Sequence, residues 1–174
     1  MENAWKIMRR GAVNGMVAGL AGTVAMTVSE KIEQVITKRP DSYIPAHAME
    51  RILGLPTKPD EERRWMSWLA HWGLGIVPAA LRGIMAEGGM RGPLASGMFF
   101  VTRMTTDETI ENVTGVGKPP WAWPPKLAAI DALHKAVYAF ATGAVADALA
   151  TTPPPLAQRT GGHGSGVSYQ AHPV

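Results

Sequence analysis

Hydrophobic and polar positions along the chain fall into four long apolar stretches joined by polar, proline-rich segments, and each stretch follows a helical period. The first, Gly11 to Ser29, holds no charged side chain over about 19 residues, enough to cross a bilayer core. Gly11, Gly15 and Gly19 recur at every fourth position, and Ala18, Gly22, Ala25 and Ser29 extend the same small-residue face. A second helix backbone can approach closely along such a face, a glycine-zipper-like packing surface. Beyond Ser29, Glu30, Glu33 and Gln34 keep helical spacing, and Pro40 predicts an end near Thr37.

The segment from Lys38 to Arg64 is polar and broken by Pro40, Pro45, Pro56 and Pro59, which predicts an interfacial loop with one short amphipathic helix from Ala46 to Leu53. Trp65 to Leu81 forms the second apolar stretch, opened by Trp65, Trp68 and Trp72 like an interfacial aromatic belt and closed by Arg82. Within it, His71, Gly75, Pro78 and Arg82 share one helix face. The third stretch, from about Leu94 to Glu111, follows Glu87-Gly88-Gly89 and Pro93. Its uncharged part, Gly92 to Thr102, is too short to span alone, and Arg103, Asp107 and Glu111 follow at fourfold spacing. After a stiff Pro/Trp loop, Gly115 to Pro125, the last helix runs from Leu127 to Ala150. Its Asp131, His134, Lys135, Tyr138 and Thr142 line up as a narrow stripe on an otherwise apolar cylinder, which predicts a stripe turned into a bundle.

These elements predict an all-α fold: an integral membrane bundle of about four helices, the third being the shortest apolar run, with a short interfacial helix in the first loop. Residues 1–150 form the helical membrane domain, and 151–174, with Pro153-Pro154-Pro155 and a Gly/Ser/His mixture, are expected to be a disordered tail. Lys6, Arg9 and Arg10 before an apolar run also describe a signal peptide. The glycine pattern and the lack of a clear cleavage site favour a retained helix. Basic residues fall on both sides of the four-crossing scheme, so the positive-inside rule gives no orientation.

Composition narrows the functional classes. The chain of 174 residues has no cysteine, which excludes disulfides, thiolate metal sites and cysteine nucleophiles. A net charge of +3 without a dense basic run argues against a nucleic-acid partner. No phosphate loop, metalloprotease helix or serine elbow is present, so nothing nominates an enzyme, a metal site or a cofactor. The chemistry that remains is a candidate polar network on lipid-length helices: Glu30, His71, Arg82, Arg103, Asp107, Asp131 and His134. Asp131 and His134, three apart, are placed for a carboxylate-oriented imidazole. His71 and His134 on different helices are the only pair that suggests axial haem ligation, with Lys135 beside it. The same ionisable groups also serve a purely structural bundle, as interhelical ion pairs.

The glycine-rich first helix, His71-Trp72-Gly73-x-Gly75, the Pro119-Pro120-Trp121 loop and Asp131-x-x-His134 resemble the small, uncharacterised bacterial inner-membrane proteins of the YagU-like kind. The resemblance spans roughly Gly11 to Ala150 and implies a four-helix inner-membrane protein with no established activity. It departs from the pattern at Asp131, where a glutamate is expected. Three functional expectations follow. The first is a structural or accessory subunit that joins a homo-oligomer or membrane complex through Gly11, Gly15, Gly19 and Gly22. The second is a proton-linked transporter or channel that uses Asp131, His134 and His71. The third is a soluble helical bundle with a buried first helix.

Overall fold

The computed structural model describes residues 3–56 and 59–152. Its helices are α1 (Ala4–Thr37), α2 (Ile44–Leu53), α3 (Arg64–Ile76), α4 (Ala79–Glu87), α5 (Gly92–Thr114) and α6 (Pro125–Leu149), with 3-10 turns at Asp60–Arg63 and Pro120–Ala122. No strand occurs among the described residues. The expected tail falls outside them from Pro153 onward.

α1 is the axis. Asn3 caps its start by accepting the Trp5 N–H. Its 34 residues correspond to roughly 50 Å of helix, longer than a bilayer core, so its polar last turns project beyond the apolar part. It ends at Thr37, with Lys38 in the left-handed conformation (φ 60°) returning its N–H to Gln34. α4 and α6 pack along α1, α3 meets its C-terminal half, and α5 lies on α6.

Glycine decides how closely these helices approach. A Cβ on Gly11 would stand 2.8 Å from the Ile84 Cα, and one on Gly15 would overlap the Ala79 carbonyl and Gly83 backbone. One on Gly19 would lie 2.6 Å from the Ala79 Cβ, and Gly22 sits directly against Thr142 and Tyr138 of α6. The face expected to receive a partner is therefore filled within the chain, by α3, α4 and α6. Gly83 of α4 completes the match against Gly11 and Gly15.

The second apolar stretch is longer than its sequence suggested. α3 and α4 form one run to Glu87, bent at Val77-Pro78, because Pro78 has no N–H to offer the preceding turn. Arg82 was expected to close this segment and to take part in the polar network. It lies inside the bundle, 0% exposed. Among the described residues two helical runs, Ala4–Thr37 and Arg64–Glu87, are long and apolar enough to cross a membrane. α5 and α6 do not reach that level, because Arg103, Asp107, Glu108 and Glu111 on one, and Asp131, His134, Lys135 and Asp147 on the other, lower their apolar content.

Charged side chains lie inside the bundle, and a band of apolar ones lies outside it. Arg82, Glu87, Arg103, His134, Lys135 and Thr142 are buried, while Val13, Val17, Leu20, Val24, Val28, Leu69, Val77, Leu94, Met98, Val101 and Phe140 are exposed. The outward threonines of α5, Thr102, Thr105, Thr106 and Thr109, each donate their hydroxyl to the carbonyl four residues earlier, so that no free donor faces outward from them.

Candidate functional site

The bundle is tight at one end and open at the other. The glycine run of α1 stops at Gly22. From there the inward positions carry Met26 and Glu30, and the helices part around a cavity of about 620 Å³. Such a volume falls in the range of small-molecule sites. α3 contributes His71 and Leu74, α5 contributes Arg103, Asp107, Ile110 and Glu111, and α6 contributes Ile130, Asp131, His134 and Lys135. The start of α2 (Ile44, Pro45, Ala48) and the Pro/Trp loop (Val116, Gly117, Trp123) complete its wall.

The first of these segments is tied to the start of α3. α2 is held by a buried ion pair between Glu50 and Arg63 at 3.1 Å, joined by Asp60 and by His47. The Trp123 indole N–H donates to the Lys118 carbonyl at 2.6 Å within the loop, and Trp123 lines the cavity. A smaller recess of about 160 Å³ lies beside the first and shares Glu30, Arg39, Ser42, Pro45 and His71 with it, adding Trp68 to its wall. At its rim, the Lys31 ammonium 2.6 Å from Asp41 holds that carboxyl below its usual range.

Six of the seven expected network residues, Glu30, His71, Arg103, Asp107, Asp131 and His134, meet at this cavity, although they come from four helices. Arg103 bonds Asp107 at 2.7 Å and stands over the Tyr138 ring, 5.5 Å from its centroid. Lys135 bridges Asp131 at 2.7 Å and Asp107 at 3.6 Å. The result is a chain of alternating charge across the α5–α6 seam. Nearby, the Tyr138 hydroxyl donates to the Gly75 carbonyl at 2.5 Å and ties α6 to α3.

The histidines are oriented by α1. His71 Nε2 lies 2.9 Å from the Thr27 hydroxyl, and His134 Nδ1 lies 2.9 Å from the Ser29 hydroxyl. The expected Asp131–His134 pair is not formed. Asp131 is taken by Lys135, one residue further along the stripe, and the nearest carboxylate to His134 is Glu33, 3.7 Å from Nε2. Residues three and four apart share a helix face, and the lysine's charge wins the carboxylate.

Arg82 does not belong to this site. At the tight end, its guanidinium reaches Asp147 at 2.7 Å, and Asp147 also accepts the Gly92 N–H at 2.8 Å. Glu87, beside it, collects Arg10 at 3.0 Å, Asn14, the backbone N–H groups of Thr151 and Thr152, and the Thr152 hydroxyl. Thr151 and Thr152, expected to open a disordered tail, are thus fastened to α4. Glu87 and Asp147 escaped the sequence reading because neither lies on a polar stripe. Glu111 and Lys135 were visible in the stripes, and only the cavity shows that they belong with the network.

Compared with protein families, with curated proteins and with solved structures, the chain matches none.

Proposed function

We propose that the protein is a small integral membrane protein whose work is done in this cavity, as a proton-linked transporter or channel. In this reading α1, α3–α4, α5 and α6 all sit in the bilayer. The apolar side chains on their outer faces would contact lipid, and the charges of α5 and α6 would be tolerated because they turn toward one another and the cavity. The observation that carries the proposal is the convergence of Glu30, His71, Arg103, Asp107, Asp131, His134 and Lys135 on one cavity from four separate helices. A set of interhelical ion pairs serving stability alone needs no such opening.

In this reading the polar stripe of α6 would carry the proton. It runs from Asp131, His134 and Lys135 at the cavity through buried Tyr138 and Thr142, toward the Arg82–Asp147 pair at the tight end. The competing reading as an accessory subunit loses its main support, since Gly11, Gly15, Gly19 and Gly22 are covered by the chain's own helices.

Flux in proteoliposomes tests the proposal. With a pH-sensitive dye trapped inside and an imposed proton gradient, the full chain should dissipate the gradient faster than protein-free vesicles, and Asp131→Asn should abolish the difference. A rate equal to that of empty vesicles, or one unchanged by Asp131→Asn, would overturn it.

A further inference from the structure

The cavity wall carries four cations, Arg39, Arg103, Lys118 and Lys135, and four carboxylates, Glu30, Asp107, Glu111 and Asp131, but they do not pair off evenly. Arg39 is matched to Glu33 at 2.8 Å, Arg103 to Asp107 at 2.7 Å and Lys135 to Asp131 at 2.7 Å. Lys118, the remaining cation on the wall, is exposed. Two cavity carboxylates, Glu30 and Glu111, make no hydrogen bond or ion pair among the described residues. Glu111 Oε2 is buried without a partner. Inside the cavity the groups left without an ion-pair partner among the described residues are these two carboxylates, while Lys118 is unpaired on the exposed side.

The rest of the wall selects among cations. Met26, Leu74, Ile110, Leu127, Ile130 and the Trp123 ring offer apolar surface and an aromatic face. A small inorganic cation would have to shed its water against such a wall and gain little. A cation whose charge is carried on apolar substituents gains apolar burial and attraction to the indole face, while a carboxylate supplies the counter-charge. Glu30 also faces the smaller recess, where Trp68 stands.

Resting on the transporter reading above, we propose that the cavity takes a lipophilic organic cation, of the quaternary ammonium or phosphonium class, with Glu30 and Glu111 as its counter-charges. Gln at either position keeps the shape and removes the charge.

The test uses two probes of equal size and shape and opposite sign. Tetraphenylphosphonium and tetraphenylborate are titrated by calorimetry into the full chain, purified in a non-ionic detergent. Tetraphenylphosphonium should bind saturably, and the double variant Glu30→Gln/Glu111→Gln should weaken it by about tenfold or more, the equivalent of about 1.4 kcal/mol. The single variants, each read on its own, should show intermediate losses, and Glu62→Gln on the exposed loop should leave binding unchanged. Equal or tighter binding of tetraphenylborate, or phosphonium binding indifferent to both Gln changes, would overturn the assignment. Where proton flux persists without phosphonium binding, the cation assignment alone falls. Where both are absent, the transporter reading falls with it.

Discussion

Arg82 and Asp147 meet at 2.7 Å between α4 and α6, and the guanidinium is wholly shut off from the outside. Each is a lone charge on its own helix face, and neither helix would bury it without the other. Removing one partner of a buried pair leaves an uncompensated charge, at a cost of about 3–5 kcal/mol. Asp147→Ala should therefore lower the midpoint of unfolding steeply in detergent, and far more than Asp41→Ala, whose partner Lys31 is exposed. Equal effects at the two positions would mean that Arg82 finds other partners.

The glycine contacts predict opposite outcomes for one substitution at two sites. Gly15→Ala drives a methyl group into the Ala79 carbonyl and should force α1 and α4 apart. Gly97 on α5 has nothing within 4 Å of the site of its missing Cβ, so Gly97→Ala should gain helix propensity of up to about 1 kcal/mol. Thermal unfolding of the two variants, with size-exclusion profiles to report expansion, checks the pair.

Tyr138 links three parts of the bundle, and its hydroxyl can be removed without its ring. Tyr138→Phe leaves the face under Arg103 and the contact with Phe99 in place but orphans the Gly75 carbonyl, at a cost of about 1 kcal/mol. Tyr138→Leu also loses the attraction of the ring for the guanidinium and should cost visibly more. Matching losses for Phe and Leu would show that the ring contributes little.

Glu111 predicts a gain. Its buried Oε2 has no partner, so Glu111→Gln removes the cost of ionising a desolvated carboxyl and should raise stability on the order of 1 kcal/mol above neutral pH, while it weakens phosphonium binding. A variant that is less stable would show that the carboxylate holds the Pro/Trp loop, where Gly117 lies against it.

The outward band of valine and leucine predicts how the protein partitions. In membranes from expressing cells, the chain should stay in the pellet through alkaline carbonate and high salt, and leave only with detergent. Release by carbonate would favour a soluble bundle.

The sequence by itself determined most of the helical elements, though not the break of the second apolar stretch at Pro78 or its extension to Glu87. A glycine every fourth residue specified close approach to α1, Pro40 and the Thr37 end set its length, and the narrow stripe of α6 specified which of its faces turns inward. These are local signals, because periodicity along one helix fixes which residues share a face. Only the tertiary structure decided what each face meets. The glycines are covered by α3, α4 and α6 of the same chain, Lys135 takes the carboxylate expected for His134, and Arg82 pairs with Asp147 away from the cavity. Pairing between helices depends on their relative height and rotation, which small residues and the Pro78 bend set jointly, and no spacing within one helix encodes it. The cavity follows from the same cause: glycine gives way to Met26 and Glu30 along α1, and the space between helices opens where the side chains become larger.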